Sequence, residues 1–180
     1  QGMQHRRIFF AGTLTDSNFI QINMYSSSDF IRFMVGDGAG SYKMVCFTFS
    51  ELGGMDFYDE PHFIVAAWSQ SENMIYLRVD DQAKTDEYPS QVPPLTDTIY
   101  IGNNAGAQQS NSLIDDLAIF DYAPTDEEIE AWYEADAPIP VNERMTYLLR
   151  FDNNFAIGKR GVRKSPPLDL SSIGTVKTSE

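Results

Sequence analysis

From residue 7 to residue 121 the chain alternates apolar and polar positions in short runs separated by turn signals. Period-two alternation of this kind predicts half-buried β-strands. The predicted strands span residues 7–12, 18–25, 30–35, 42–49, 62–68, 74–80, 98–102 and 113–121. Between them stand Ser26-Ser27-Ser28-Asp29, Gly36-Asp37-Gly38-Ala39-Gly40, Gly53-Gly54 and the polar stretch 69–73, all rich in turn-forming residues. Strands at this spacing, with one helix among them, predict two antiparallel sheets packed as a sandwich.

The segment 111–133 carries the most local information. Leu117 and Ile119 share a parity with Asp115, so if they face a core a carboxylate is expected on the same side, where it needs a partner. Thr125 then stands three residues before Glu128, the spacing of a helix capping box. Ile129, Trp132 and Tyr133 fall on one face of the helix that follows. The stretch 81–97 contains Pro89, Pro93 and Pro94, which excludes a central strand and predicts a crossing at an edge or rim. Pro138 and Pro140 mark an exit linker.

Three segments together resemble the laminin-G-like, concanavalin A-like jelly rolls. Ile114, Asp115, Leu117, Ile119, Phe120, Ala123, Thr125, Glu128 and Ile129 fill the places of that family's closing strand and helix. His62-Phe63-Ile64-Val65-Ala66-Ala67-Trp68 with residues 73–80 is similar to its central hairpin, and Ile99-Tyr100-Ile101-Gly102-Asn103-Asn104 to its Ile-Gly strand. The resemblance implies an all-β, two-sheet antiparallel jelly-roll sandwich, concanavalin A-like, with one short C-terminal helix. Residues 1–140 are expected to form this jelly roll. Within 141–180, Thr146-Tyr147-Leu148-Leu149-Arg150-Phe151-Asp152 looks like the opening strand of such modules. That strand is expected to complete this sandwich, a neighbouring subunit or a following module, and all three arrangements imply a multidomain or homo-oligomeric parent.

Length and charge narrow the classes of partner. A chain of 180 residues suits one domain with a full core. The net charge of −13 argues against nucleic acid and anionic membrane surfaces, which need clustered Lys and Arg. The charge is uneven: residues 1–140 hold 6 basic and 22 acidic side chains, whereas residues 141–180 hold 7 and 4. Lys159, Arg160, Arg163 and Lys164 form a basic cluster that either docks on an acidic body or is a solvated loop. Cys46 is the only cysteine, so no internal disulfide forms, and its neighbours mark it as a small buried hydrophobe. Neither a membrane-spanning apolar run nor a signal-peptide pattern appears, so membrane insertion is not expected. A chain starting at Gln1 is expected to be a processed product or a piece of something larger.

The candidate chemistry is sparse. In the glucanase branch of the family the matching Asp of the closing strand helps hold a structural calcium, so the resemblance makes Asp115 a candidate metal ligand; the alternative is a carboxylate accepting from backbone amides. Asn103, Asn104, Gln108, Gln109 and Asn111 form an amide-rich loop able to read sugar hydroxyls, or simply a polar connection. Asp80 and Asp81 occupy a hairpin tip where relatives carry Asp-Gly, which weakens the expectation of a tight turn. The Glu-x-Asp-x-x-Glu run of retaining glycosidases with this fold is missing, and Glu51, Asp56, Asp59 and Glu60 are interrupted by Gly53-Gly54 and Pro61. His5 and His62 stand too far apart, and too unaccompanied, for a zinc site or a triad.

These features lead to the expectation of a non-catalytic recognition and structural module. Its expected setting is a larger virion assembly, such as a phage tail or fibre, or a bacterial surface, where it binds a glycan or a partner protein. A purely architectural module and a glycoside hydrolase or lyase of the same fold are the competing expectations.

Overall fold

A computed structural model describes residues 5–14, 17–25, 29–54, 60–88, 99–102, 114–135 and 144–149. The strands are β1 (His5–Gly12), β2 (Phe19–Tyr25), β3 (Phe30–Gly36), β4 (Tyr42–Thr48), β5 (Ile64–Ser69), β6 (Met74–Val79), β7 (Gln82–Glu87), β8 (Ile99–Ile101), β9 (Leu117–Phe120) and β10 (Met145–Leu149). The helix α1 covers Asp126–Glu134. Five strands form one antiparallel sheet in the order β4-β3-β2-β1-β8, and three form a second in the order β5-β6-β7. β9 and β10 make a separate two-stranded ribbon, so residues 145–149 pair with the closing strand of the same chain.

Alternation sorts the side chains. Ile20, Met24, Ile31, Phe33, Val35, Val45 and Phe47 of the larger sheet meet Ile75, Leu77 and Val79 of the smaller one in a single apolar core. Each such side chain, fully buried, contributes roughly 1.5–3 kcal/mol relative to exposure. Phe49 and Tyr88 belong to the same cluster. The opposite face of the smaller sheet is also apolar: Ala67 and Tyr76 pack against Ile129 and Trp132 of α1, with Phe63, Val65, Phe120 and Ala123 around them. The sandwich is therefore backed by a helical layer.

α1 starts as its capping box requires, with Glu128 N donating to Thr125 Oγ1 at 3.2 Å and Thr125 N donating to Glu128 Oε2 at 2.9 Å. Arg78 on β6 holds the helix further through an ion pair with Glu130, with its guanidinium carbon 5.2 Å from the Tyr133 ring centroid.

Three details depart from the sequence reading. β7 lies inside the proline-bearing stretch expected to be a crossing loop; its residues are almost all exposed and it ends its sheet, so it carries no buried face to read. The closing strand begins at Leu117, because Asp116 takes a left-handed φ of 48° that breaks the alternation ahead of it. The turn after β6 is tight despite lacking glycine, since Asp80 itself adopts φ 54° and Val79 pairs with Gln82.

Candidate functional site

The larger sheet has a second face, turned away from the core, whose composition is unlike the rest of the protein. In β2 and β3 this face takes the residues of opposite parity to the core set: Phe19, Gln21, Asn23 and Tyr25, then Phe30, Arg32 and Met34. In β1 a bulge between Arg7 and Phe9 lets Ile8 and Phe9 both pack on the core while Arg7 and Phe10 pair with Asn23 and Gln21. Pairing then lines up Arg7, Asn23, Arg32 and Cys46 across four strands, and beside them Tyr100, Phe10, Gln21, Met34 and Met44 across five.

The polar members of these rows are deeply placed. Asn23 is 0% exposed, Gln21 3% and Arg7 5%, whereas Arg32, Met44 and Cys46 are half-buried and keep partial access to solvent. Arg32 Nε donates to Asn23 Oδ1 at 2.6 Å, and its Nη1 lies 3.8 Å from Met44 Sδ. Its guanidinium carbon lies 5.5 Å from the Tyr25 ring centroid and 5.3 Å from that of Phe30, two rings stacked 5.4 Å apart. Arg7 lies over Phe10, 4.8 Å from its centroid. Burial lowers the pKa of Arg7, and the charge of Arg32 lowers it further. Arg32 is lowered by its own burial, against an opposing effect of Tyr42, Tyr25 and Cys46. Both stay cationic, because a guanidinium does not deprotonate in proteins.

The strands of this sheet, β1 to β4 and β8, contain no Asp or Glu, yet carry Arg6, Arg7, Arg32 and Lys43. In a chain of net charge −13 such a surface stands apart. A donor-rich, carboxylate-free face with stacked aromatic rings is equipped to bind a ligand rich in acceptor oxygens.

The residues expected from sequence fall elsewhere. Asp115 is exposed ahead of β9, and its Oδ1 accepts from Asp116 N at 2.9 Å; the expected core-side carboxylate is not formed there, because Asp116 turns the chain. Among the described residues no group of three His, Cys, Asp or Glu side chains converges as a metal cage. Asn103, Asn104, Gln108, Gln109 and Asn111, the basic cluster 159–164, and Asp56 and Asp59 lie outside the described residues. Glu51 bonds Lys84 Nζ at 2.6 Å and the Thr48 amide at 2.8 Å, and these partners hold its carboxyl down to about 2.

His62, read as unaccompanied, has its Nδ1 2.6 Å from Asp80 Oδ2, while Asp80 Oδ1 accepts from Phe63 N at 2.8 Å. These contacts tie a hairpin tip to β5 and leave the aspartate engaged on both oxygens. A recess bounded by Asp37, Ser41, Tyr42, Lys43 and Tyr88 is similarly committed: Asp37 Oδ1 accepts from the Ala39 and Ser41 amides, and the Tyr88 hydroxyl donates to Gly36 O. The arginine row was hidden in the sequence because its members come from separate strands. The signal that would have found it is the lack of acidic residues in those strands.

No curated protein and no solved structure is matched by the chain. The family model of the concanavalin A-like lectin/glucanases superfamily matches residues 1–130, the span that contains both packed sheets and most of α1. On that match and this architecture, the chain belongs to the concanavalin A-like lectin/glucanase superfamily.

Proposed function

We propose that the chain is a non-catalytic module that binds glycan on the outward face of its larger sheet, around Arg32, Asn23, Tyr25 and Phe30. One observation carries the reading: this face keeps the Arg32 guanidinium, oriented by the buried Asn23 amide, partly accessible beside the stacked Tyr25 and Phe30 rings, with no carboxylate on any strand beneath it. Donors and a ring face are what a pyranose needs for hydroxyl contacts and stacking. Glycoside hydrolysis, in contrast, generally needs a pair of carboxylates across the scissile bond. The disulfide-free, acidic composition supports a place for the module in a larger virion or bacterial surface assembly, with neighbouring modules or subunits as partners and calcium as a structural ion.

Binding of the labelled full chain to an immobilised glycan array, with and without calcium and alongside Tyr25→Ala and Phe30→Ala, tests this. Binding to a set of sugars, reduced by both substitutions, is expected. Binding to no sugar would leave a purely architectural role, and cleavage of any polysaccharide in a parallel assay would overturn the non-catalytic reading.

A further inference from the structure

The outward face leaves specific atoms without counterparts. Asn23 is fully buried, and its Oδ1 is taken by Arg32 Nε, which fixes the orientation of the amide. Its Nδ2, carrying two hydrogens, has no acceptor among the described residues. A buried donor left unmade costs on the order of 1–3 kcal/mol, and buried polar groups are otherwise almost always satisfied. Beside it the terminal nitrogens of Arg32 meet no carboxylate among the described residues, only the weak acceptor Met44 Sδ and two aromatic rings. Arg7 brings a second cation to the same row, paired in register with Asn23.

The arrangement is therefore positively charged and has more unmatched donors than acceptors, with Gln21 Oε1 in the neighbouring row as the buried acceptor left over, in a protein that is otherwise strongly acidic. A neutral sugar answers such a face only in part: its hydroxyls accept from the donors and its ring stacks, but the charge stays unanswered. An oxyanion supplies acceptors only, and two of its oxygens can meet a guanidinium side by side. The half-buried Tyr25 and Phe30 rings, next to Arg32, offer an apolar surface to the ring that bears the anion.

We propose that Arg32 and Asn23, with Arg7 behind them, form an oxyanion cradle that selects an acidic pyranose, one carrying a carboxylate or a sulfate. This rests on the glycan reading above and narrows it to charged sugars. The excess negative charge that the other segments of residues 1–140 carry would repel acidic glycans there, which favours this face over the rest of the jelly roll.

Calorimetric titration of the full chain with an oligogalacturonate, a sulfated galactan oligosaccharide and a neutral galactan oligosaccharide tests the cradle. The charged sugars are expected to bind more tightly than the neutral one, with affinity falling as salt is raised; the better of the two identifies the anion. Arg32→Gln is expected to weaken charged-sugar binding at least about tenfold and to narrow the gap between charged and neutral sugars, since a neutral ligand loses a hydrogen bond but no ion pair. Asn23→Asp places a carboxylate inside the cradle, so a folded protein that no longer binds charged sugars is expected; its melting curve separates occupation from misfolding. Equal binding of charged and neutral sugars, unaffected by Arg32→Gln, would overturn the cradle and leave the glycan-binding reading standing. Binding to none of the three would overturn both.

Discussion

Trp132 stacks on Phe120, with ring centroids 5.1 Å apart and planes inclined by 11°. One ring belongs to α1 and the other to β9, so this contact fixes the helix to the ribbon while Ile129 and Trp132 bury themselves against Ala67 and Tyr76 of the smaller sheet. Truncation would open a void where two layers meet. Trp132→Ala is expected to lower stability by about 3 kcal/mol, read from urea unfolding followed by far-ultraviolet circular dichroism. A loss below about 1 kcal/mol would mean that the helix adds little to the sandwich.

Tyr88 is buried, and its hydroxyl donates to Gly36 O at 3.0 Å. Burial, with the charge of Asp37 adding to it, raises its pKa from 10.0 to about 12. Because the folded-state value lies above the unfolded one, the stabilisation is fully present below pH 10 and is lost as the pH climbs through 12. Alkaline unfolding is expected across that window, with at most about 2–3 kcal/mol at stake from this group. In Tyr88→Phe the alkaline loss is expected to shrink, without vanishing, since burial raises Tyr76 and Tyr133 in the same direction. An unchanged pH profile in this variant would exclude Tyr88 as a contributor.

Gly36 ends β3 under the backbone of the connection between β1 and β2. A Cβ at that position would lie 1.6 Å from Ser17 O and 2.6 Å from the Ser17 carbonyl carbon. Backbone atoms have no rotamer through which to escape, so Gly36→Ala must displace the loop or the strand. A loss of about 3 kcal/mol or failure to fold is expected, read by thermal melting; a melting temperature equal to that of the parent chain would contradict the contact.

Asp80 combines two demands in one residue, a left-handed φ of 54° and acceptance from Phe63 N and His62. Asp80→Asn keeps a residue that tolerates this conformation and is expected to cost about 1 kcal/mol. Asp80→Gly relaxes the backbone and removes both contacts, whereas Asp80→Ala removes the contacts and adds strain, so alanine is expected to be the worse by about 1 kcal/mol. Equal unfolding midpoints for the glycine and alanine variants would show that the backbone at this position is unstrained.

Much of the architecture can be read from periodicity because one face of each strand is buried. Met74–Val79 and Phe30–Gly36 announce themselves through alternating Ile, Leu, Val and Phe, and Thr125 with Glu128 marks the start of α1. Where burial is missing, the reading fails. β7 offers no apolar alternation, and Asp115 has the parity of a core residue but sits before a left-handed Asp116 that resets the count. The outward face of the larger sheet was missed for a different reason. Arg7, Asn23 and Arg32 are each unremarkable in their own strands, and only the register of β1, β2 and β3 makes them neighbours.

The terminal strand of the smaller sheet has its own consequence. Open strand margins invite other chains to zip on, and Gln82–Glu87 presents Lys84, Asp86 and Glu87 along such a margin with scarcely a greasy side chain among them. A second molecule approaching there would strip water from fixed charges and gain no oily contact in return. Crowded copies of the module can thus sit shoulder to shoulder without fusing into fibrils along that side.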